Sequence, residues 1–480
     1  MTPTRCVLVW LRRDLRLEDN LALHHAAQSG ALVVVLYVLD PAILRSPRVG
    51  APRVGFMLSA LSALDADLRG YGARLLIRQG RPTEVVPAVA QELRAEALYY
   101  NRDYTPYARR RDARVEAALS ERGIIVHSYH DRVLLPPDAL RTGTGSPYTV
   151  FTPFKNKWRA TPKPFSEPVD TVLRGVFMPL DGAESLPVPS LQDLGFGSTV
   201  QLPPATVAAA RKRLDDFVSQ RIYGYRDGRN RLSGPFDDPH SGTSLLSPYL
   251  RWGLLSPRQV RQAAVQSYRA ASNDDARESV DVWVDELIWA EFYIQVLWHF
   301  PQVVHQSFKP EYEGVAWRIA PEELAAWQEG QTGYPVVDAA MRQLKQTGWM
   351  HNRARMIVAS FLTKDLLIDW REGERWFMQH LLDGDTAANN GGWQWSASTG
   401  TDAQPYFRIF NPVSQGQKFD PDGAYIQRWV GELRGLSPRH LHAPWTMQRP
   451  PAAYPPPMVD HALARERTLS AFKSVTRTKE

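Results

Sequence analysis

Residues 31–39 read ALVVVLYVL, an apolar run that is too short to span a bilayer and that reads as a strand. Four similar runs surround it: CVLVW (6–10) upstream, then ARLLIR (73–78), ALYYN (97–101) and GIIVHSY (123–129). Helical spacing fills several of the gaps, at Phe56–Leu68, Glu84–Arg94 and Arg109–Glu121. This alternation predicts a Rossmann-like α/β domain over residues 1–135, built on a doubly wound parallel sheet. No GxGxxG follows the first strand, so the usual dinucleotide fingerprint is absent. LRRDLRLEDN (11–20) stands there instead, a charged run of the kind a solvated loop carries.

Residues 136–206 are rich in Pro, Gly and Ser, with PKP (162–164), PVPS (187–190) and LPP (202–204). They read as a long surface connection in which FTPFKNKW (151–158) is a segment able to dock. From 207 to 480 helical patterns dominate, at Thr206–Arg221, Ser256–Ala271, Ser279–Trp298, Pro335–Lys345, Arg353–Trp370 and Arg375–Leu382. Pro257 and Pro335 sit at first-turn positions. The second domain is therefore predicted to be all-α, with a loose tail from about residue 450, Pro-rich and then basic.

The chain has 480 residues and a net charge of +6, which suits an anionic partner such as nucleic acid. Its single cysteine, Cys6, excludes an intramolecular disulfide and a multi-cysteine metal site, and fits a reducing, intracellular setting. Arg12 and Arg13 interrupt the first apolar run, so no signal peptide is expected.

Residues 383–400, DGDTAANNGGWQWSASTG, place Asp383 and Asp385 about Gly384, then Asn389, Asn390, Gly391, Gly392, Trp393 and Trp395. This composition suits either a rigid helix junction capped by Asp and Asn or the wall of a large planar ligand. In SGTSLLSPYLRWG (241–253), Thr243, Ser244 and Ser247 could cradle a phosphate or simply cap a helix; Tyr225 and Arg229 stand upstream. In DVWVDELIWAEFYIQVLW (281–298), Trp283, Glu286, Trp289 and Tyr293 share a face. If that face is buried, the Glu286 pKa should rise; otherwise the stripe is core and the glutamate points outward. In TGWMHNRARM (347–356), Asn352, Arg355 and Met356 share a face beside Arg353, which suits phosphate contacts or a surface ion-pair network. Trp317, Trp370 and Trp393 read by default as core.

Together these segments resemble the photolyase/cryptochrome family, and within it the class I cyclobutane pyrimidine dimer DNA photolyases. The resemblance begins at VWLRRDLRLEDNLAL (9–23) and is densest from GYPVVDAAMRQL (333–344) through KDLLIDWREGERWF (364–377), DGDTAANNGGWQWSASTGTDAQPYFRIFNP (383–412) and Gln415–Phe419. It implies FAD in the helical domain, active as FADH⁻. Tyr225 and Thr243, Ser244, Leu245, Leu246 and Ser247 would hold its phosphates. Trp283, Arg355, Asp383, Gly384 and Asp385 would border the ring and ribose, with an Arg355–Asp383 ion pair, and Asn389 would face flavin N5. Glu286, Trp289, Asn352, Met356 and Trp395 would receive a flipped thymine pair. Arg229, Tyr293, Arg353 and Gln415 would contact DNA, and Trp393, Trp370 and Trp317 would relay electrons to the flavin. Light would drive one electron from FADH⁻ to the dimer and back. A monomer is expected, without metal or membrane, in the cytoplasm and at the nucleoid when DNA-bound.

Three alternatives are weighed. A (6-4) photolyase would carry histidines where Asn352 and Met356 stand. A cryptochrome photosensor would depart at Glu286, Trp289, Asn389 or Trp395 and carry a long C-terminal extension. A generic flavin oxidoreductase would show a nicotinamide site. For the antenna, the folate-type Asn–Glu pair is replaced by Tyr107 and Ala108, and the Cys–Lys contacts by Val304 and His305. Asp103, Pro106 and Arg111, with Arg53, resemble the deazaflavin type, so 8-hydroxy-5-deazaflavin is expected, with FMN or none as alternatives.

Overall fold

The computed structural model describes residues 5–163, 167–180, 184–233 and 242–477. Pro164 of the PKP run and Ser241 at the head of the 241–253 run lie outside them. The strands are β1 (Cys6–Leu11), β2 (Leu32–Leu39), β3 (Leu76–Gln79), β4 (Ala97–Asn101) and β5 (Ile125–Tyr129). They form one parallel sheet in the order β3-β2-β1-β4-β5, with Cys6 opposite Leu32 and Val7 opposite Ala97. Successive side chains alternate between two buried faces. Val7, Val9, Leu11, Val33 and Val35 face one core with the helix Ala51–Arg69. Leu8, Trp10, Val34 and Leu36 face another, with the helices Pro82–Glu92 and Pro106–Ser120. Burial on both sides explains why these strands read as continuous apolar runs.

The strand order reverses between β1 and β4, so a crevice opens at their carboxyl ends. The run 11–20 sits at that end, and it is not a solvated loop: Arg12, Arg13, Asp14, Arg16, Asp19 and Asn20 are all buried. The reason is pairing. Arg16 Nη2 meets Asp131 Oδ2 at 2.6 Å, Arg258 Nη2 meets Asp131 Oδ1 at 2.6 Å, and Arg258 Nε meets Asp19 Oδ1 at 2.8 Å. Burial alone would raise the Asp131 pKa, but Arg16 and Arg258 outweigh it and hold the carboxyl below its ordinary value. The Leu15 N–H donates to the Trp252 carbonyl at 3.0 Å, and a Cβ on Gly253 would stand 2.3 Å from the Arg13 carbonyl oxygen. The turn after β1 is thus the clamp between the sheet and the helical half.

The connection also docks. In the helix Phe151–Ala160, Phe151, Phe154 and Trp158 are buried against Ile288, Phe292 and Val296. Buried Glu291 stitches this contact, accepting from the Leu134 N–H at 2.5 Å and the Trp158 indole N–H at 2.6 Å; its burial pushes its pKa up to about 7.

The helical half contains Val207–Val218, Pro257–Ala270, Asp274–His299, Pro335–Thr347, Asn352–Ser360, Trp370–His380 and Thr386–Ala397. Pro257 and Pro335 begin their helices, and Ser256 with Gln259 forms a capping box. Two expectations are corrected. Arg353–Trp370 is not one helix: after Ser360 the backbone widens into a π-type turn over Phe361–Asp365, Leu367 takes φ +52°, and Asp369 caps a new helix at Trp370. That new helix replaces the one expected at Arg375–Leu382. The chain end is not loose either. His461–Arg477 is a helix whose Ala464, Thr468 and Phe472 are buried, spaced four apart on one face. Thr468 donates to the Lys364 carbonyl, and the Lys364 ammonium lies 3.8 Å from the Phe472 ring centroid.

Candidate active site

The helix Asp274–His299 starts at Asn273, whose side chain accepts from the Ala276 N–H at 2.8 Å, and it carries Trp283, Glu286, Trp289 and Tyr293. Against it pack the turn Tyr225–Gly228 and the helix Thr386–Ala397. Gly391 sets the closeness of the two helices: a Cβ there would stand 2.2 Å from Tyr293 Cδ1. Gly392 instead meets no atom within 4 Å, so of the two adjacent glycines only Gly391 makes the close approach.

Among the residues expected to receive the flipped pair, burial pushes the Glu286 pKa up, and Arg229, 2.5 Å away, offsets this only in part. Trp289 lies flat on Phe151, centroids 3.6 Å apart and planes 6° apart, with Tyr293 at 5.5 Å. Asn352 is exposed and Met356 half-buried on the helix Asn352–Ser360, which packs on the helix bearing half-buried Trp395. Arg353 donates to Asn230 Oδ1 at 2.8 and 3.1 Å and covers the Phe419 ring at 4.5 Å. Its pKa falls to about 10 through burial and the neighbouring Arg229. Gln415 is half-buried on the helix Pro412–Phe419.

Deeper in, Arg355 Nη2 pairs with Asp383 Oδ2 at 2.8 Å. Tyr225, Leu246 and Trp283 are buried, Ser244 and Leu245 are half-buried, and Trp283 packs 5.1 Å from Phe217. The loop carrying Thr243 is strained, with Leu245 at φ +54°, a departure that costs about 1–3 kcal/mol. Trp349 donates to Ser247 Oγ at 3.3 Å. Among the described residues, Asp383 Oδ1 and Thr243 Oγ1 are buried without a protein partner. Such atoms require a partner, and a dinucleotide with its own ribose hydroxyls and ring donors fits them. Asp385 Oδ1 caps the helix through the Ala387 and Ala388 N–H groups at 2.9 and 3.3 Å. Its Oδ2 faces away, toward Arg13, Arg132 at 3.3 Å and Arg251 at 3.9 Å. Burial would raise the Asp385 pKa, but these arginines pull it well below the carboxylate range. The Gly384 carbonyl accepts from Arg53 and Arg251 at 3.0 and 2.8 Å. Asn389 is held by Glu374, whereas Asn390 is bonded to the Val303 carbonyl at 2.9 Å and has a structural part.

Trp370 and Trp393 lie in one buried apolar cluster, and Trp317 packs against it at the surface, edge-on to Phe472 at 5.9 Å. A Cβ on Gly373 would stand 2.1 Å from Trp393 Cη2, so the indole presses directly on the helix Trp370–His380. The antenna candidates gather near the β1–β4 crevice with separate partners. Asp103 meets Arg13 at 3.3 Å, Arg111 meets Asp112 at 2.7 Å, and Arg53 turns to Gly384.

Phe151, Asn230, Glu374, Arg13, Arg132 and Arg251 were not expected at the site. Each is joined to it only by tertiary contact, and no local spacing announces them. Only the docking of 151–158 gave a signal, for Phe151.

Comparison with known proteins agrees with this geometry. Residues 283–474 match the family model described as the FAD binding domain of DNA photolyase, and residues 7–172 match that of DNA photolyase. A deoxyribodipyrimidine photo-lyase of Synechococcus sp. is 44% identical, over 98% of this chain and 96% of that one. A bacterial class III photolyase from Agrobacterium tumefaciens superposes with TM-score 0.90 at 36% identity, over 99% of both chains. A Synechocystis cryptochrome superposes with TM-score 0.88 at 29% identity, over 98% of this chain and 100% of that one. The chain belongs to the photolyase/cryptochrome family.

Proposed function

We propose that this protein is a class I photolyase that repairs cyclobutane pyrimidine dimers in DNA under blue or near-UV light, with FAD as its cofactor. The observation that carries the reading is the grouping of side chains around Glu286 and Trp289. A carboxyl raised by burial lies beside a flat indole on one helix, and Asn352, Met356 and Trp395 are carried by neighbouring helices. FAD, bound in its reduced form, supplies the light-driven electron. The chain's own residues do the rest. A damaged base pair is cheaper to flip than an intact one. Trp289, backed by Phe151, offers the flipped pair a rigid stacking wall. Glu286 hydrogen-bonds its carbonyl/N–H edge where water is excluded, and so steadies the charge that develops there. Arg229, Arg353 and Gln415 hold the DNA backbone without reading sequence. Arg355 and Asp383 would hold the cofactor ring, and Trp393, Trp370 and Trp317 would pass electrons toward it. The working units are the antenna-binding domain 1–135, the connection 136–206 and the catalytic domain 207–480, in the cytoplasm at the DNA.

The crevice between the domains takes the antenna. Arg13, Arg53, Arg132 and Arg251 outnumber Asp103 and Asp385 there, and Arg251 Nη1 is buried without a protein partner. This excess of cations suits an acidic chromophore such as 8-hydroxy-5-deazaflavin, with FMN or none as alternatives.

One experiment tests the reading: an absorption spectrum of the native-host protein, then illumination with UV-damaged oligo(dT). Flavin bands and loss of dimers only in light are expected, with extra absorbance that acid releases as the deazaflavin. A released folate refutes the antenna. Flavin that photoreduces without repair replaces the enzyme with a cryptochrome photosensor.

A further inference from the structure

Asn389 has no N–H to spare. Its Nδ2 stands 3.0 Å from the Glu374 carbonyl oxygen and 3.0 Å from Glu374 Oε1, so both amide hydrogens are spent on one residue. Turning the amide over would set its oxygen against two acceptors. Whatever meets the remaining Oδ1 must therefore donate a hydrogen bond. Glu374 is buried, and its Oε1 is shared with Arg48, which comes from the other domain. The segment bearing Arg48 is itself fixed. Gln379 donates to the Pro47 carbonyl at 2.8 Å, Arg53 donates to the Arg48 carbonyl at 2.5 Å, and a Cβ on Gly50 would stand 1.8 Å from the Gln379 carbonyl oxygen. Burial favours the protonated form of Glu374, and Arg48 is the main charge opposing it. A protonated Glu374 could donate to Asn389 Oδ1 and release the amide to flip.

We propose that Glu374 and Arg48 are positioning residues for the redox state of the bound flavin, holding the Asn389 amide with its oxygen toward the cofactor. Reduced flavin carries a hydrogen at N5 and oxidised flavin does not, so an amide locked as an acceptor favours the reduced form. This rests on the FAD reading above, with Asn389 facing N5. An arginine of the α/β domain thereby sets the redox preference of a cofactor held in the helical domain.

The test compares the parent with Arg48→Met, Arg48→Lys and Glu374→Gln, each checked for FAD content and circular dichroism. The readouts are the dark rate at which fully reduced flavin is reoxidised by air and the midpoint potential. Arg48→Met and Glu374→Gln should reoxidise roughly three- to tenfold faster, the worth of about one net hydrogen bond, with a more negative potential. Arg48→Lys should return toward the parent. Parental rates in both variants at full FAD content overturn the inference. Loss of FAD from Arg48→Met also overturns it, because Arg48 would then serve retention. A parent without flavin overturns the FAD reading instead. If Glu374→Gln fails to fold, Arg48→Met decides by the same criterion, since its side chain is already 27% exposed.

Discussion

An acid drawn out of water is costly wherever it sits, and half-buried Glu286 and buried Glu291, five residues apart on one helix, resolve that cost differently. Glu286 leans on Arg229, whereas Glu291 accepts from N–H donors and feels the Lys163 charge more weakly, and burial pushes its pKa up to about 7. In the unfolded chain Glu291 would lose its proton near 4.5, so between about pH 4.5 and 7 the folded state binds the extra proton, and stability falls as pH rises. Glu291→Gln should flatten that slope, worth on the order of 3 kcal/mol, in urea melts across this range. Trp370 makes a second prediction. Trp370→Phe should abolish photoreduction of oxidised FAD while repair by chemically reduced enzyme stays largely intact; equal loss in both assays would contradict the relay. The aromatic stripe and the Arg355–Asp383 pair were legible because their members lie on recognisable helical spacing or in long motifs. Phe151 and Arg48 were not, because each reaches its partner across more than a hundred residues; Glu374 stands only fifteen residues from Asn389, but in the gap that the helical spacing left between Trp370 and Arg375.

At the level of elements, apolar periodicity located all five strands, with ends displaced by up to three residues. It failed where composition spoke louder than spacing. The last helix hides among prolines and basic residues, yet Ala464, Thr468 and Phe472 keep the four-residue step that buries one face. The break after Ser360 was equally hidden, since all five residues of the π-type turn, Thr363, Lys364 and Asp365 included, stay buried while it re-aims the chain. Lys364 in that turn reaches the Ala397 carbonyl and Ser398 Oγ, each at 3.0 Å, and so closes the end of the helix that bears Trp393 and Trp395. Phe472→Ala should cost about 3–5 kcal/mol in denaturant unfolding. It should also make Trp317 more accessible to a fluorescence quencher.

For the whole molecule, the junction is the feature that local reading inverted. LRRDLRLEDN looks like a wet loop because its charges have no partners nearby in sequence; their partners are Asp131 and Arg258, and burial follows from pairing. The apolar core of the sheet likewise runs on into Leu246, Tyr249, Trp252 and Val260 of the helical half. Asp131→Asn leaves Arg16 and Arg258 short of a countercharge and should cost about 3–5 kcal/mol. It should split a single calorimetric transition into two. The same separation of arginines governs ionic strength. Arg16 and Arg258 lie where counterions cannot follow, while Arg229 and Arg353 stand at or near the surface, so that the proposed phosphate contact there would displace condensed ions and weaken steeply with salt. Raising salt therefore strips the protein from DNA well before it loosens the join between its halves, and the repair machine leaves its substrate in one piece.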